Sequence, residues 1–390
     1  MAGGVVGRRA LLRGAIGTAA LGGVAGIADL ARAAGEDRTN RSGALRVGYL
    51  PITDAAPLLV AHGAGLYRPG VVSGRQPVMF RSWSSLAEAF ISRQVDVVHL
   101  LMPMAVQLKY ALGGDARILG WNHTNGSALT VAPDVTELEQ LAGTQVAVPF
   151  WWSIHNIVLQ DMLRARGMRP VVRSAPSKAA GEVGLIVMAP SDMVPALANG
   201  AISAYTVADP FNAAAELKGV GRIQCFLGDV WRDHACCALL VHQEVIDRDP
   251  GAVQSLTDSV VSAQQRIEAD RDAAAVMLHD GEYLPQPTAA IDKSLTYPPQ
   301  DYRIVHPQWQ PQKIGYRPFP FPSFTAALVE SMHSTVVDGD RDFLDRIDPA
   351  RAHSELIDDR FVRASIDRAG GPAAFGLPAS LTRTEEVVYT

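Results

Sequence analysis

Residues 45–67 read LRVGYLPITDAAPLLVAHGAGLY. LRVGYL is a short apolar run of strand type, and LLVAHGAGLY is a helical run stopped by glycine. Between them stand Thr53, Asp54 and two prolines. A strand C-terminus meeting a helix N-terminus is where α/β proteins gather ligands, because unpaired backbone N–H groups converge there. The same residues also suit an ordinary helix start, with Thr53 or Asp54 as N-cap and Pro57 in the first turn. The wider chain decides between the two.

The chain has 390 residues, 48% hydrophobic and 19% charged, with a net charge of −5. That length calls for two lobes or domains rather than one small core. The charge gives no reason to expect nucleic acid as a partner. Three cysteines rule out a disulfide scaffold. At the N-terminus, GRRALLRG carries Arg8 and Arg9, and a Gly/Ala-rich apolar run follows up to Ala31-Arg32-Ala33. This is the pattern of a twin-arginine signal peptide over residues 1–34, which exports a folded protein. The run is shorter than a bilayer span, and no cysteine marks a lipid anchor. Residues 35–43, GEDRTNRSG, form a polar linker.

Beyond the linker, strand-like and helix-like runs alternate. QPVMF, VDVVHLL, ARILGW and GSALTVA read as strands, with SLAEAFISRQ and MAVQLKYALG as helices. A second series starts near residue 137: TQVAVPF, GLIVMAP, AISAYTVADP and CCALLVH as strands, with helices at 153–167, SDMVPALANG and FNAAAELKG. ELEQLAG reads as a further helix, and residues 247–390 are mainly helical. This rhythm predicts mostly parallel sheets. If the chain crosses from one lobe to the other and back, a cleft lies between them. Its walls are then the turns PITDAAP, LLMPM, HTNGSA, PFWWSIHN and VADPFN, together with the loop after MF.

The order of these turns resembles the solute-binding proteins of nitrate and bicarbonate ABC importers, over about residues 45–350. The residues that carry it are LRVGYLPITDAAP, Ser82-Trp83, VDVVHLLMPM, PFWWSIHN, SDMVPALANGAISAYTVADPFNAAA and VWRDHACCALLVHQEVIDRDPGAVQSL. The wider group also takes sulfonates, taurine and thiamine-precursor pyrimidines. The resemblance implies an α/β protein of periplasmic-binding-protein type II. It would have two α/β lobes, a hinged interlobe cleft and a helical C-terminal part. The expected boundaries are 35–132 for the first part of lobe 1, 133–238 for lobe 2, and 239–390 for the return to lobe 1 with its extension. Such a chain performs no chemistry, needs no cofactor, acts as a monomer outside the cytoplasm and hands a small solute or small anion to a membrane ABC permease.

The residues expected at the ligand are Thr53, Asp54, Trp83, Pro103, Asn125, Gly126, Ser127, Trp152, Ser153, His155, Asp209 and Cys237. Ser127 stands where nitrate binders carry a longer amide. Ser153 suits the cap of a helix whose first N–H groups can hold an anion. Asp209 repels anions and is expected to orient backbone or meet a cation. Cys237 occupies the place of the lysine that meets the anion in nitrate binders. A neutral thiol cannot replace that ammonium, so a neutral, larger or sulfur-containing solute becomes plausible. Cys236 and Cys237 with His234 invite a metal reading, but neighbours on a strand face opposite ways, so no metal is expected. A disulfide to Cys225 suits an exported chain, with buried free thiols as the default.

Two readings of other classes share this fold. A ligand-responsive sensor is one, and the export signal argues against it. An enzyme like the thiamine pyrimidine synthase is the other, but its longer cysteine run is absent here. GxGxxG, phosphate-loop and nucleophile-elbow patterns are also missing.

Overall fold

The structure is a computed structural model that describes residues 44–302 and 314–388. The signal-peptide reading therefore lies outside the described residues. No helix among them is long and apolar enough to cross a membrane.

Eleven strands are described: β1 (Val47–Tyr49), β2 (Val78–Met79), β3 (Val97–Leu101), β4 (Ala116–Trp121), β5 (Ser127–Val131), β6 (Gln145–Val148), β7 (Arg169–Val171), β8 (Glu182–Val187), β9 (Ala204–Ala208), β10 (Arg222–Phe226) and β11 (Cys237–His242). They build two sheets, ordered β2-β1-β3-β11-β4 and β10-β5-β9-β6-β8-β7. Each sheet is the centre of one α/β lobe. β7 and β10 escape the sequence reading. β7 (RPV) is three residues long, and β10 (RIQCF) mixes polar and apolar residues.

Pairs joined by a helical connection within one lobe are parallel, β1 with β2 and β3 and β6 with β8 and β9, and β7 with β8 is parallel across a loop. β5 and β11 are antiparallel to their neighbours. Both arrive from the opposite lobe, so neither follows a right-handed crossover over its own sheet. The chain enters the second sheet at β5, so the outward crossing falls at residues 122–126, ahead of residue 133. GSALTVA is equally strand-like in either sheet; only long-range pairing assigns it.

The two crossings lie side by side. Thr124 bridges Ala235 and Gly315, and the N–H groups of Asn125 and Asn122 donate to the carbonyls of His234 (2.9 Å) and Cys237 (3.1 Å). The segment 385–388 binds the same place. Val388 N–H donates to Val230 O at 2.8 Å, and Trp231 Nε1 donates to Glu385 Oε2 at 2.9 Å. One apolar cluster runs through both lobes, from Leu101 and Trp83 to Ala147, Ile157 and Tyr205. The long helix Pro250–Ala269 packs Ala263 and Ile267 against Leu59 and Val60 of the helix Ala56–Gly63.

Neither Thr53 nor Asp54 caps that first helix. A short 3₁₀ turn, Thr53–Ala55, precedes it, and no side-chain cap forms at either start. Both residues are fully buried instead. Ser82 and Ser153 do cap their helices, accepting from the N–H groups of Ser85 (3.2 Å) and Asn156 (3.1 Å).

Gly126 closes the outward crossing with φ of +81°, and a Cβ there would meet Ile314 Cγ1 at 2.8 Å. Gly126→Ala is expected to lower stability by about 1–3 kcal/mol, read as a fall in the urea midpoint with the slope unchanged.

Candidate functional site

The strand-to-helix turns do converge, and they bring polar side chains into the buried junction between the lobes. Thr53 N–H donates to Asp209 O at 2.8 Å, and Thr53 Oγ1 does so at 3.2 Å. This clasp ties lobe 1 to the end of β9 in lobe 2. The Asp209 side chain holds a tyrosine hydroxyl and a backbone N–H. Its Oδ1 accepts from Tyr297 Oη at 2.9 Å and from Ala213 N–H at 3.2 Å.

Asp54 sits one residue further on. Its Oδ2 lies 2.9 Å from His123 Nε2 and accepts a weak bond from Cys237 Sγ at 3.5 Å. Cys236 and Cys237 do not face apart. Cys236 precedes β11, and the two sulfurs are 3.7 Å from each other. Both are unbridged, as is the buried Cys225 in β10. From lobe 2, His155 Nε2 reaches Ser127 Oγ at 2.9 Å and Cys236 Sγ at 3.9 Å. Asp54, His123, His155 and both cysteines are fully buried.

Other expected residues play different parts. Trp83 stacks at a tilt on His99, 5.4 Å between ring centres. His99 Nε2 accepts from Leu50 N–H at 3.0 Å. Trp152 packs edge-on against Phe343 in the core. Pro103 starts the helix Met102–Tyr110, where its missing N–H costs nothing. Asn125 takes a φ of 56° and reaches Asp233 Oδ1 at 3.3 Å.

Sequence reading missed His123 as a member of the cluster and His99 beside it, and it set Cys236 and His234 aside on strand geometry. The HTNGSA turn had already been singled out, and its first residue is His123. Adjacent cysteines were read with strand geometry, which does not hold at a crossing.

Burial sets the charges. Asp54 is pushed up to about 6 by desolvation, against the pull of His123. Burial opposes a charged His123, but Asp54 outweighs it and holds the ring up at about 10. The two groups lie at ion-pair distance, 2.9 Å apart. Burial drives His99 down to about 3 and His234 down to about 4, so both are neutral donor–acceptors. Burial alone would raise the Cys236 thiol. The S–H of Cys237 and the rings of His155 and His123 instead hold it well below the usual value. Cys237 is pushed well above, by burial first and then by Cys236 and Asp54. Several buried atoms here have no hydrogen-bond partner: Asp54 Oδ1, His123 Nδ1, His99 Nδ1, His155 Nδ1, His234 Nε2 and Trp83 Nε1.

The profile of the NMT1-like family matches residues 38–279. The chain belongs to the NMT1-like family. It is 24% identical over 241 residues to the nitrate/nitrite binding protein NrtA of Nostoc, a match covering 56% of this chain and 53% of that one. The chain thus spans about half the length of the curated relatives it matches. Among solved structures, the periplasmic nitrate-binding protein NrtA from Synechocystis superposes with a TM-score of 0.72 at 20% identity, covering 88% of this chain and 93% of that one. The alkanesulfonate-binding protein SsuA from Xanthomonas axonopodis, bound to MOPS, superposes with a TM-score of 0.57 at 17% identity, over 76% and 93% of the two chains. The two-lobed periplasmic-binding-protein fold is therefore this NMT1-like chain's fold.

Within that frame the site of this family member has its own chemistry. Among the described residues no lysine or arginine is buried, whereas sulfur, imidazole and carboxylate are concentrated at the crossings. A small anion buried here would lack a permanent counter-charge.

Asp209 supplies a pH test. Its carboxyl is raised from 3.8 to about 7, chiefly by burial, against the hydrogen bonds of Tyr297, Ala213 and Asn212. Between those values the folded chain holds a proton that the unfolded chain has released. This group's contribution to stability therefore falls as pH rises through the window, by at most about 1.4 kcal/mol per pH unit, and levels off above it. Asp209→Asn lacks this fall. Urea unfolding of the two proteins across the window should show the variant gaining on the wild type as pH rises.

Proposed function

We propose that this chain is the exported solute-binding component of an ABC importer. It holds a small solute between its two lobes and presents the closed form to a membrane permease. It acts outside the cytoplasm and catalyses nothing. The twin-arginine pattern at Arg8 and Arg9 supports export. The likeness to nitrate- and sulfonate-binding proteins supports transport as its role.

One observation carries the reading above all. The polar side chains at the lobe junction are fully buried, come from both lobes and the crossings, and leave many hydrogen-bonding atoms without partners. A core built only for stability satisfies such groups or omits them. A junction that opens to take a solute needs them. Closure then follows from the solute's greater affinity for the closed form.

The test is a thermal-shift screen of nitrate, nitrite, bicarbonate, alkanesulfonates, taurine and pyrimidines, with X-ray scattering on each hit. A true solute at a hundredfold its Kd should add about 2.7 kcal/mol of stability. It should also reduce the radius of gyration. A protein whose scattering profile stays the same with every stabilising compound would refute the hinged-capture reading.

A further inference from the structure

We propose that Asp54, His123, Cys236 and Cys237 form a four-coordinate site for a thiophilic divalent cation with the coordination chemistry of zinc. The proposal rests on the solute-capture reading and narrows it: the solute held at the junction is a metal cation.

The donor set comes first. One ligand atom from each of the four residues lies within 4.8 Å of the others, and all four residues are fully buried. Two thiolates, an imidazole nitrogen and a carboxylate oxygen are the ligand types that zinc takes in tetrahedral sites. Softer thiolates disfavour magnesium and calcium, which bind oxygen.

The spacing comes second. Metal–sulfur bonds of roughly 2.3 Å and metal–oxygen bonds of roughly 2.0 Å, set at tetrahedral angles, put two sulfurs roughly 3.8 Å apart and a sulfur roughly 3.5 Å from an oxygen. The sulfurs of Cys236 and Cys237 are 3.7 Å apart, and Cys237 Sγ is 3.5 Å from Asp54 Oδ2. His123 Nε2 and Asp54 Oδ2, at 2.9 Å, need to separate by a few tenths of an ångström. That is what replacing a shared proton by a metal does. Binding is accordingly coupled to proton release.

Charge and position come third. No lysine or arginine is buried among the described residues, so the junction has no permanent cation to oppose a metal. Asp54 comes from lobe 1, while His123 and Cys236 sit on the two crossings and Cys237 begins β11. His155 approaches from lobe 2, with Nε2 3.9 Å from Cys236 Sγ. A metal here would bind both crossings to lobe 1 and leave lobe 2 to close over it. Fully buried donors also require an opening step for entry, which a hinged protein provides.

The test uses the full chain, stripped with chelator under reducing conditions and titrated with Co²⁺. Expected are thiolate-to-cobalt charge-transfer bands and intense tetrahedral visible bands at one Co²⁺ per chain, both abolished by Zn²⁺. Cys236→Ser and Cys237→Ser should each remove about half the charge-transfer intensity, and His123→Gln should weaken Co²⁺ binding by at least about tenfold. Cys225→Ser, away in β10, should leave the spectrum unchanged. A wild-type protein with no thiolate-to-cobalt band overturns the metal site, as does a band that depends on Cys225. Scattering separates the two levels. Compaction on Zn²⁺ addition supports both. A cobalt spectrum without compaction keeps the metal site and overturns capture. Compaction by a compound of the solute panel in a protein with no cobalt spectrum keeps capture and overturns the metal site.

Discussion

The paired crossings are the constraint on which the molecule depends. Thr124 lies between Ala235 and Gly315, and main-chain hydrogen bonds join residues 122–125 to residues 234–237. This pairing fixes the only points where the two sheets share covalent chain among the strands described. It forces β5 and β11 to run against their neighbours. It also brings His123 and Cys236, 113 positions apart in sequence, into one space. Gly126 allows the turn, and Val388 pairs with the return crossing at Val230.

The charge balance of the junction follows from that geometry. Side chains of the return crossing, Trp231, Ala235 and Cys236 among them, pack into the apolar cluster that runs through both lobes. Burial there is nearly complete, which makes each polar group costly unless matched. Asp54 and His123 match each other; His155 and Ser127 match each other. Asp54 Oδ1, His99 Nδ1, His155 Nδ1 and His234 Nε2 have no hydrogen-bond partner at this junction.

Much of this was readable in the residues. Apolar runs with helical or continuous spacing located nine of the eleven strands described and the main helices. The turns between them hold Asp54, Ser127, His155 and Asp209, and the family resemblance points to Cys237. What failed has a common physical origin. Whether Asp54 caps a helix or enters the junction depends on a partner, His123, that local sequence does not reveal. Whether two adjacent cysteines diverge depends on whether both lie in a ladder, and Cys236 does not. GSALTVA is a strand on any reading, and only its pairing with β9 and β10 gives it a lobe. ELEQLAG forms only the single 3₁₀ turn Leu138–Leu141, because two buried leucines hold it and no further apolar stripe extends it.

The grip between Thr53 and residue 209 ends on a peptide carbonyl, and the crossings hold each other through peptide groups as well. The joints between the two lobes at this point are therefore peptide to peptide. The side chains around them can vary from one relative to another while those joints persist.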